Sequence, residues 1–161
     1  MRIRIFTDGA CSENPGPGGW AVVVNTTKKC HTFSGNEELT TNNRMELRAV
    51  IEAFKRIVYI ESRYCEPHHE YDIHSDSAYV VNTINNHWIE SWKKNNWQTT
   101  KKEDVKNKDL WEQFSELKAK ADKLNICINL IKIKGHAGNT FNELVDKLAK
   151  EESMKAKVKN Q

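Results

Sequence analysis

A cluster of glycines and prolines near the amino terminus most restricts how this chain can fold. Four of the seven glycines and two of the three prolines lie between Gly9 and Gly19. Such a density of residues that interrupt regular structure predicts a loop over this whole stretch. The segments 2–8, 20–25 and 30–35 have the apolar and alternating character of strands. The sequence therefore predicts an antiparallel meander of three strands, with the glycine-rich loop between the first two.

The hydrophobic period changes from that of a strand to that of a helix at Asn43. Apolar side chains then recur on one helical face, at Leu47, Val50, Ile51, Phe54, Ile57 and Val58. Further along, the pattern predicts a strand at 71–74 and a helix that opens at Asp76-Ser77 and continues past Asn86 into a tryptophan-rich segment. It then predicts a helix at 107–123, a strand at 126–133 and a final helix around 141–149. The predicted order is βββαβααβα, an α/β fold.

The chain has the length of one domain, since 161 residues suffice for a hydrophobic core without disulfides. We expect one domain at 1–153, followed by a basic, polar and frayed tail at 154–161. The longest aliphatic run has four residues, against the ~18 that a membrane span needs, and the amino-terminal segment lacks the apolar core of a secretory signal. These features predict a cytoplasmic protein without a membrane partner. The four cysteines have no C-x-x-C spacing, which favours reduced thiols.

Four acidic residues, Asp8, Glu46, Asp76 and Asp146, stand at strand ends or on the edges of apolar helical faces. Each has an ordinary structural explanation. Asp8 precedes Gly9 as in a hairpin turn, Glu46 could complete a capping box with Asn43, and Asp76 could cap a helix. Asp146 could be a solvated residue at the edge of its helix.

Together these acids could converge on one patch. Unpaired carboxylates in close proximity repel one another and resist ionisation, a cost that a divalent cation removes. A ligand set of carboxylate oxygens favours Mg²⁺ or Mn²⁺ over Zn²⁺.

Six strings of sequence, in order along the chain, resemble those of bacterial ribonuclease HI. They are TDGACSENPGPGG from residue 7, TNNRMEL from 41, SDSAYV from 75, WIESWKKNNW from 88, KNKDLW from 106, and KGHAGN from 134 with NELVD from 142. The resemblance covers roughly residues 2–152. It implies the ribonuclease H-like fold, a five-stranded mixed β-sheet flanked by α-helices, which agrees with the order obtained from periodicity.

The resemblance also implies an activity and the residues that perform it. The family hydrolyses the RNA strand of RNA–DNA hybrids endonucleolytically, leaving 5′-phosphate and 3′-hydroxyl ends. Asp8, Glu46, Asp76 and Asp146 would be the catalytic metal ligands for two Mg²⁺ ions, with Mn²⁺ as a possible substitute. By analogy with the family, Asp8 would bridge the ions, Glu46 and Asp76 would hold one, and Asp146 the other. A monomer is expected.

His136, between Gly135 and Gly138, is by default an exposed loop residue. The resemblance places it beside the metals instead, where an imidazole could relay protons or help to release product. A second group of soft ligands, formed by Cys65, His68, His69 and His74, lacks the spacing of a zinc site, and no metal is expected there.

The resemblance implies two groups of substrate-binding residues. The first group would contact the minor groove of the hybrid and a nearby DNA phosphate: Cys11, Asn14, Thr41, Asn42 and Asn43. These residues could equally serve as turn and cap residues. Ala78 departs from the family pattern, because many relatives carry a glutamine there that touches the substrate.

The second group lies in the tryptophan-rich segment, where the positive charge of the chain is concentrated. Between His87 and Lys108 there are six lysines and three acids, an excess equal to the net charge of +3 for the whole protein. The resemblance implies a basic protrusion that holds the DNA backbone. Its substrate-binding residues would be Trp88, Trp92, Lys93, Lys94, Trp97, Lys101 and Lys102. Core packing is the alternative for the tryptophans, above all for Trp88.

Three other functions are compatible with parts of the sequence. A non-catalytic hybrid-binding module would be expected to lack at least one of the four acids. A DNA-cutting enzyme of the same fold would not need the asparagine-rich loop or the basic protrusion. A purely structural domain leaves the four acids unexplained. The sequence therefore favours a hybrid-specific ribonuclease.

Overall fold

The computed structural model describes residues 1–65, 69–135 and 139–159. These residues form five strands and five helices. The strands are β1 (Arg2–Cys11), β2 (Gly16–Asn25), β3 (Cys30–Thr40), β4 (Glu70–Ser75) and β5 (Cys127–Lys132). The helices are α1 (Asn42–Glu61), α2 (Ala78–Asn85), α3 (Trp88–Lys94), α4 (Lys108–Lys123) and α5 (Thr140–Lys159).

All five strands belong to one mixed sheet, in the spatial order β3-β2-β1-β4-β5. The meander predicted for β1, β2 and β3 is confirmed, because both neighbouring pairs are antiparallel. Strand β4 pairs in parallel with β1, and β5 in parallel with β4. The carboxyl ends of β1 and β4 therefore meet at one edge of the sheet, which places Asp8 near the residues that follow Ser75.

The helices lie in two layers, one on each face of the sheet. The larger core includes Leu47, Ile51 and Phe54 of α1, with Trp111 and Phe114 of α4. On the other face α5 packs alone, and Val145 and Ala149 close a smaller core with three buried side chains of β1 and β2, namely Phe6, Ala21 and Val23. The prediction of a five-stranded sheet flanked by helices is thus confirmed. No helix in the described ranges is both long enough and apolar enough to cross a membrane.

The prediction of a loop throughout the glycine-rich segment is wrong. Strand β1 continues to Cys11 and β2 starts at Gly16, so that only four residues lie between the strands. Within this hairpin Gly19 pairs with Ala10. A Cβ at Gly19 would lie 2.5 Å from the Ala149 carbonyl oxygen and from the Ser153 nitrogen. The glycine is therefore a strand residue that permits the backbone of α5 to approach the sheet.

Three helix boundaries also differ from the predictions. The N-cap of α1 is Thr41, whose Oγ1 accepts a hydrogen bond from the Arg44 N–H, so Asn43 and Glu46 do not form a capping box. The helix predicted to continue past Asn86 is divided into α2 and α3, because His87 has a left-handed φ of 58°. Residues 154–159, predicted as a frayed tail, belong to α5, where burial of Ala156 stabilises the helix.

We predict that Gly19→Ala destabilises the protein by about 1–3 kcal/mol or more, because the added methyl group has to displace the backbone of α5. Urea unfolding monitored by tryptophan fluorescence measures the change. Gly35→Ala, also in a strand, is the matched control: the three atoms nearest to its Cβ belong to the Trp20 side chain and none of them to a backbone. Equal losses of stability in the two variants would contradict the role assigned to Gly19.

Candidate active site

Strand β1 and helix α1 touch at Gly9, and this contact brings the first two acids together. A Cβ at Gly9 would lie 2.4 Å from the backbone nitrogen of Glu46, so a larger residue would force α1 away from the strand. Asp8, the preceding residue, is 4 % exposed, and its Oδ1 accepts a hydrogen bond from the Gly9 N–H at 2.9 Å. Both acids are therefore held by rigid elements at the place where those elements meet.

The third acid, Asp76, follows β4 directly and precedes α2. Ser77, and not Asp76, is the N-cap of α2, since its Oγ accepts a hydrogen bond from the Val80 N–H at 3.2 Å. The carboxylate of Asp76 is therefore not used as a cap. It lies against Gly135, at which a Cβ would be 3.2 Å from Asp76 Oδ2.

Asp8, Glu46 and Asp76 form a group whose ligand atoms all lie within 4.8 Å of one another. They line a cleft of about 760 Å³ together with Asp146 of α5. Asp146 Oδ2 lies 3.0 Å from Lys150 Nζ, one turn along the same helix. The structure thus brings all four predicted acids to one cleft, with three in a tight group and the fourth paired with a lysine.

Burial and mutual repulsion raise the proton affinity of two of these acids. The pKa of Asp8 is raised to about 7, first by burial and then by the negative charge of Asp76. The pKa of Glu46 is raised well above its ordinary value, by burial and by the charges of Asp8 and Asp76. The site therefore resists holding all its negative charges without a compensating cation.

The donor set fits a hard divalent cation. Glu46 Oε2 is buried and has no hydrogen-bond partner within the described part of the chain. An unpaired carboxylate oxygen in such a position is costly unless it has a ligand. Together with the oxygens of Asp8 and Asp76, it offers ligands of the type that Mg²⁺ and Mn²⁺ prefer.

The predicted groove-contacting residues lie beside this cleft. Cys11 and Asn42 line it directly. Asn14 Oδ1 accepts a hydrogen bond from the Asn42 N–H at 3.3 Å, which ties the turn between β1 and β2 to the start of α1. Thr41 and Asn43 flank Asn42 at this helix start, and Asn43 is exposed. The five residues therefore occupy one continuous rim of the site.

The tryptophans of the lysine-rich stretch 87–108, called the basic segment below, have different environments. Trp88 is 46 % exposed, which overturns the alternative of core packing for this residue. Trp92 packs against Trp97 and against the buried Trp111, with ring centroids 6.5 and 6.0 Å away. Trp92 and Trp97 thus anchor the segment to the larger core. The four lysines predicted to bind substrate are all exposed: Lys93, Lys94, Lys101 and Lys102.

Arg44 connects the basic segment to the rim of the cleft. Its guanidinium donates hydrogen bonds to both carboxylate oxygens of Asp109, at 2.9 and 2.7 Å, and to Asn107 Oδ1 at 3.3 Å. Asn107, near the end of the basic segment, also donates a hydrogen bond to the hydroxyl of Tyr79 on α2. These bonds fix the segment relative to the start of α1.

The cysteine and histidine residues near the start of β4 have separate neighbours. His69 Nδ1 lies 2.9 Å from Glu61 Oε1, and the ring of His74 stacks on Phe6 at 4.6 Å. Cys65 is an exposed free thiol, and His68 lies outside the described residues. The predicted catalytic His136 also lies outside them, although Gly135, the residue before it, touches Asp76.

The sequence analysis missed several residues that line the cleft. These are Gly9, Ala10, Ser12, Lys150, Ser153, Met154 and Lys157. Lys150 could have been predicted from the sequence, because it follows Asp146 by four residues and residues four apart share a helical face. Ser153 could not be found in this way, because its hydroxyl bonds to Ser12 of a distant segment, at 2.6 Å.

Comparison with known proteins gives one consistent family. A family model described as RNase H matches residues 1–154. The chain is 48 % identical over 152 residues to the Ribonuclease H of Thermoanaerobacter sp. (strain X514), covering 93 % of this chain and 88 % of the relative. It is 47 % identical over 165 residues to the Ribonuclease H of Treponema denticola, covering 96 % and 99 % of the two chains.

Solved structures show the same fold at lower identity. The N-terminal RNase H domain of a Mycobacterium tuberculosis protein superimposes with a TM-score of 0.72 and 23 % identity, covering 100 % of this chain and 99 % of that one. LC11-RNase H1, solved in complex with an RNA/DNA hybrid, superimposes with a TM-score of 0.69 and 24 % identity, covering 96 % and 98 %.

We predict that the metal-free protein loses stability as the pH rises from about 4 to above 7. The raised pKa of Asp8 means that the folded state binds a proton at this carboxyl group more tightly than the unfolded chain does. The protonated carboxyl group therefore stabilises the fold fully at low pH, and this stabilisation disappears as the pH rises past the pKa of Asp8 in the folded state. The loss amounts to about 1.4 kcal/mol for each unit by which folding raises the pKa. Thermal unfolding in EDTA across this pH range measures it.

Asp8→Asn removes the titrating charge, and we expect it to raise Tm in EDTA at pH 8 by roughly 5–10 °C. Mg²⁺ should raise the Tm of the unmodified protein more than that of the variant. Glu116→Gln, at an exposed acid of α4, is the control and should leave both properties unchanged. A Tm of Asp8→Asn at or below that of the control would refute the electrostatic account of the site.

Proposed function

Because this chain belongs to the ribonuclease H family of nucleases, we propose that it hydrolyses the RNA strand of RNA–DNA hybrids with two divalent metal ions, Mg²⁺ in the first instance, leaving 5′-phosphate and 3′-hydroxyl ends. The observation that carries the proposal is the tight trio of Asp8, Glu46 and Asp76, with Asp146 in the same cleft. LC11-RNase H1, of similar fold, has been solved in complex with an RNA/DNA hybrid, and so has a foamy viral protease-reverse transcriptase, of which 20 % of the chain superimposes on this one.

The four carboxylates are the residues that would hold the cations. When bound, the cations would supply Lewis-acid chemistry, activating the attacking water and stabilising the departing 3′ oxygen. Asp8 has a central position in this arrangement, because it belongs to the tight trio with Glu46 and Asp76 and lines the same cleft as Asp146. This position supports a bridging role for Asp8. Asp146, outside the tight trio, is suited to a separate cation.

His136 is proposed to move a proton or to assist product release. The support is indirect: Gly135 lies against Asp76, so the chain reaches the carboxylates at the residue immediately before the histidine. An imidazole with a pKa near neutrality is suited to that task. No protein nucleophile is needed, and none of the carboxylates is proposed to attack phosphorus.

Recognition of a hybrid is assigned to the rim formed by Cys11, Asn14, Thr41, Asn42 and Asn43. Short polar side chains and backbone groups suit the shallow minor groove, where 2′-hydroxyls identify the RNA strand. The bond between Asn14 and Asn42 holds the two parts of the rim at a defined separation before substrate binds. This preorganisation favours one duplex geometry over others.

The basic segment is proposed to bind the DNA strand through its phosphates. The four lysines Lys93, Lys94, Lys101 and Lys102 are exposed, and Trp88 beside them offers an exposed ring. Trp92 and Trp97 would act mainly by anchoring this segment, because they pack toward the core. The contacts of Arg44 with Asn107 and Asp109 then set the distance between the DNA-binding segment and the groove-contacting rim.

We predict that Asp8→Asn and Asp76→Asn each reduce hybrid cleavage at least about 10³-fold while hybrid binding is retained. The assay supplies Mg²⁺ and end-labelled duplexes of one sequence as RNA–DNA hybrid, double-stranded RNA and double-stranded DNA. Only the RNA strand of the hybrid should be cut. Glu116→Gln, at an exposed acid outside the cleft and the basic segment, should cleave like the unmodified protein. Preferential cutting of double-stranded DNA would instead support a DNA-cutting enzyme of this fold.

Replacing Lys93, Lys94, Lys101 and Lys102 with alanine should weaken hybrid binding and reduce its salt dependence. Salt dependence is the slope of the logarithm of the binding constant against the logarithm of the salt concentration, and each lost phosphate contact reduces its magnitude by roughly 0.7–0.9. Turnover at saturating substrate should change much less. The control replaces four exposed lysines far along the chain from this segment: Lys28, Lys29, Lys55 and Lys123. A slope that falls equally in both variants would argue against a specific role for the basic segment.

A further inference from the structure

One lysine of α5 differs from the others in its surroundings. Four lysines of this helix have a partner: Lys147 pairs with Glu151, Lys150 with Asp146, Lys155 with Glu152, and Lys159 with Asn36. Lys157 has neither an ion pair nor a side-chain hydrogen bond to any residue that the structure describes. Its ammonium group is thus available to a ligand outside the chain.

Lys157 also lines the cleft that contains the four carboxylates. It follows Asp146 by eleven residues, close to three full helical turns, so the two side chains leave the helix on the same face, about 16 Å apart along its axis. Met154, 54 % exposed, and Lys150 lie between them on this face and line the same cleft. We call these three residues, Lys150, Met154 and Lys157, the α5 wall.

The wall is held firmly against the rest of the site. Ser153 Oγ lies 2.6 Å from Ser12 Oγ and donates a hydrogen bond to the Pro17 carbonyl oxygen at 3.1 Å. Glu152 accepts hydrogen bonds from Ser34 and Asn36 on β3. These partly buried contacts lie about one helical turn before Lys157, so α5 holds its Cα at a defined position relative to the turn between β1 and β2.

The chemistry of the wall suits the backbone of a nucleic-acid strand. Lysine is a compact cation that binds phosphate as a point charge, and phosphate contacts position a duplex without reading its sequence. A thioether between two cations can pack against a sugar that lies between phosphates. A strand that crosses the carboxylates and continues along α5 would present a phosphate to Lys157 several nucleotides from the cleaved bond.

We infer that Lys157 is a phosphate-binding residue for the strand that is cleaved, at the end of the cleft remote from the carboxylates, with Met154 in contact with the adjoining sugar. This inference rests on the proposed function and adds to it a contact on the RNA strand, distinct from the basic segment that binds the DNA strand. Lys157 lies beyond residue 154, where the match to the family model ends.

The first test measures hybrid binding in the Asp8→Asn background, in which the substrate is not consumed. Adding Lys157→Gln should weaken binding roughly 3- to 10-fold at low salt and lower the log–log salt slope by about 0.7–0.9, whereas Lys157→Arg should preserve both. Lys147→Gln, the same change on the same helix but outside the cleft, is the matched control. With Asp8 intact, Lys157→Gln should raise KM and leave kcat unchanged, since the contact exists before and during reaction.

The second test locates the contact on the substrate. Hybrids carrying a single neutral methylphosphonate are compared, one backbone position at a time, in each strand. One position in the RNA strand, several nucleotides from the cleavage site, should weaken binding of the Asp8→Asn protein but not of the double variant with Lys157→Gln. Coupling to a DNA-strand position, or to no position, would overturn the inference.

The two proposals fail in different ways. If the unmodified protein does not cut the hybrid, the proposed function is wrong. If it cuts the hybrid and Lys157→Gln matches Lys147→Gln in affinity, salt slope and KM, the function stands and the assignment of Lys157 is wrong. Thermal unfolding of each variant checks that an exposed lysine has been replaced without loss of the fold.

Discussion

The close approach of two helices to the β1–β2 hairpin is the constraint on which the rest of the site depends. At Gly9 strand β1 meets the backbone of α1, and at Gly19 strand β2 meets the backbone of α5. Each contact excludes even a methyl group, so the helices are closer to the sheet than side-chain packing allows. Because α1 carries Glu46 and α5 carries Asp146, these two contacts bring acids from both faces of the sheet to the end of β1.

Bringing these carboxylates together costs electrostatic free energy in the folded state. Asp8 and Glu46 are raised in pKa by burial and by neighbouring negative charge, and Glu46 Oε2 has no partner within the described ranges. A structural domain would gain stability by replacing such residues with apolar ones. Their presence in a tight group is explained if the folded protein is used with cations bound, which is the state that the proposed hydrolysis requires.

The surfaces around the acids are joined by specific bonds and not by proximity alone. Asn14 and Asn42 connect the hairpin turn to α1, Arg44 connects α1 to the basic segment, and Ser153 connects α5 to Ser12. A duplex that contacts one of these surfaces therefore meets the others at fixed distances. This geometry makes it reasonable that the groove contacts, the DNA-strand contacts and the inferred contact of Lys157 act on one bound hybrid.

The sequence by itself determined the order of the elements and the candidates for the site, because helical and strand periodicity is local and the six motifs lie in family order. It correctly placed Leu47 and Phe54 on a buried helical face and singled out the four acids. It could not show that Gly19 is a strand residue or that α5 continues to Lys159. Tertiary structure alone decided these points, and the availability of Lys157, because each depends on contacts between residues far apart in the chain, whose packing outweighs local preference.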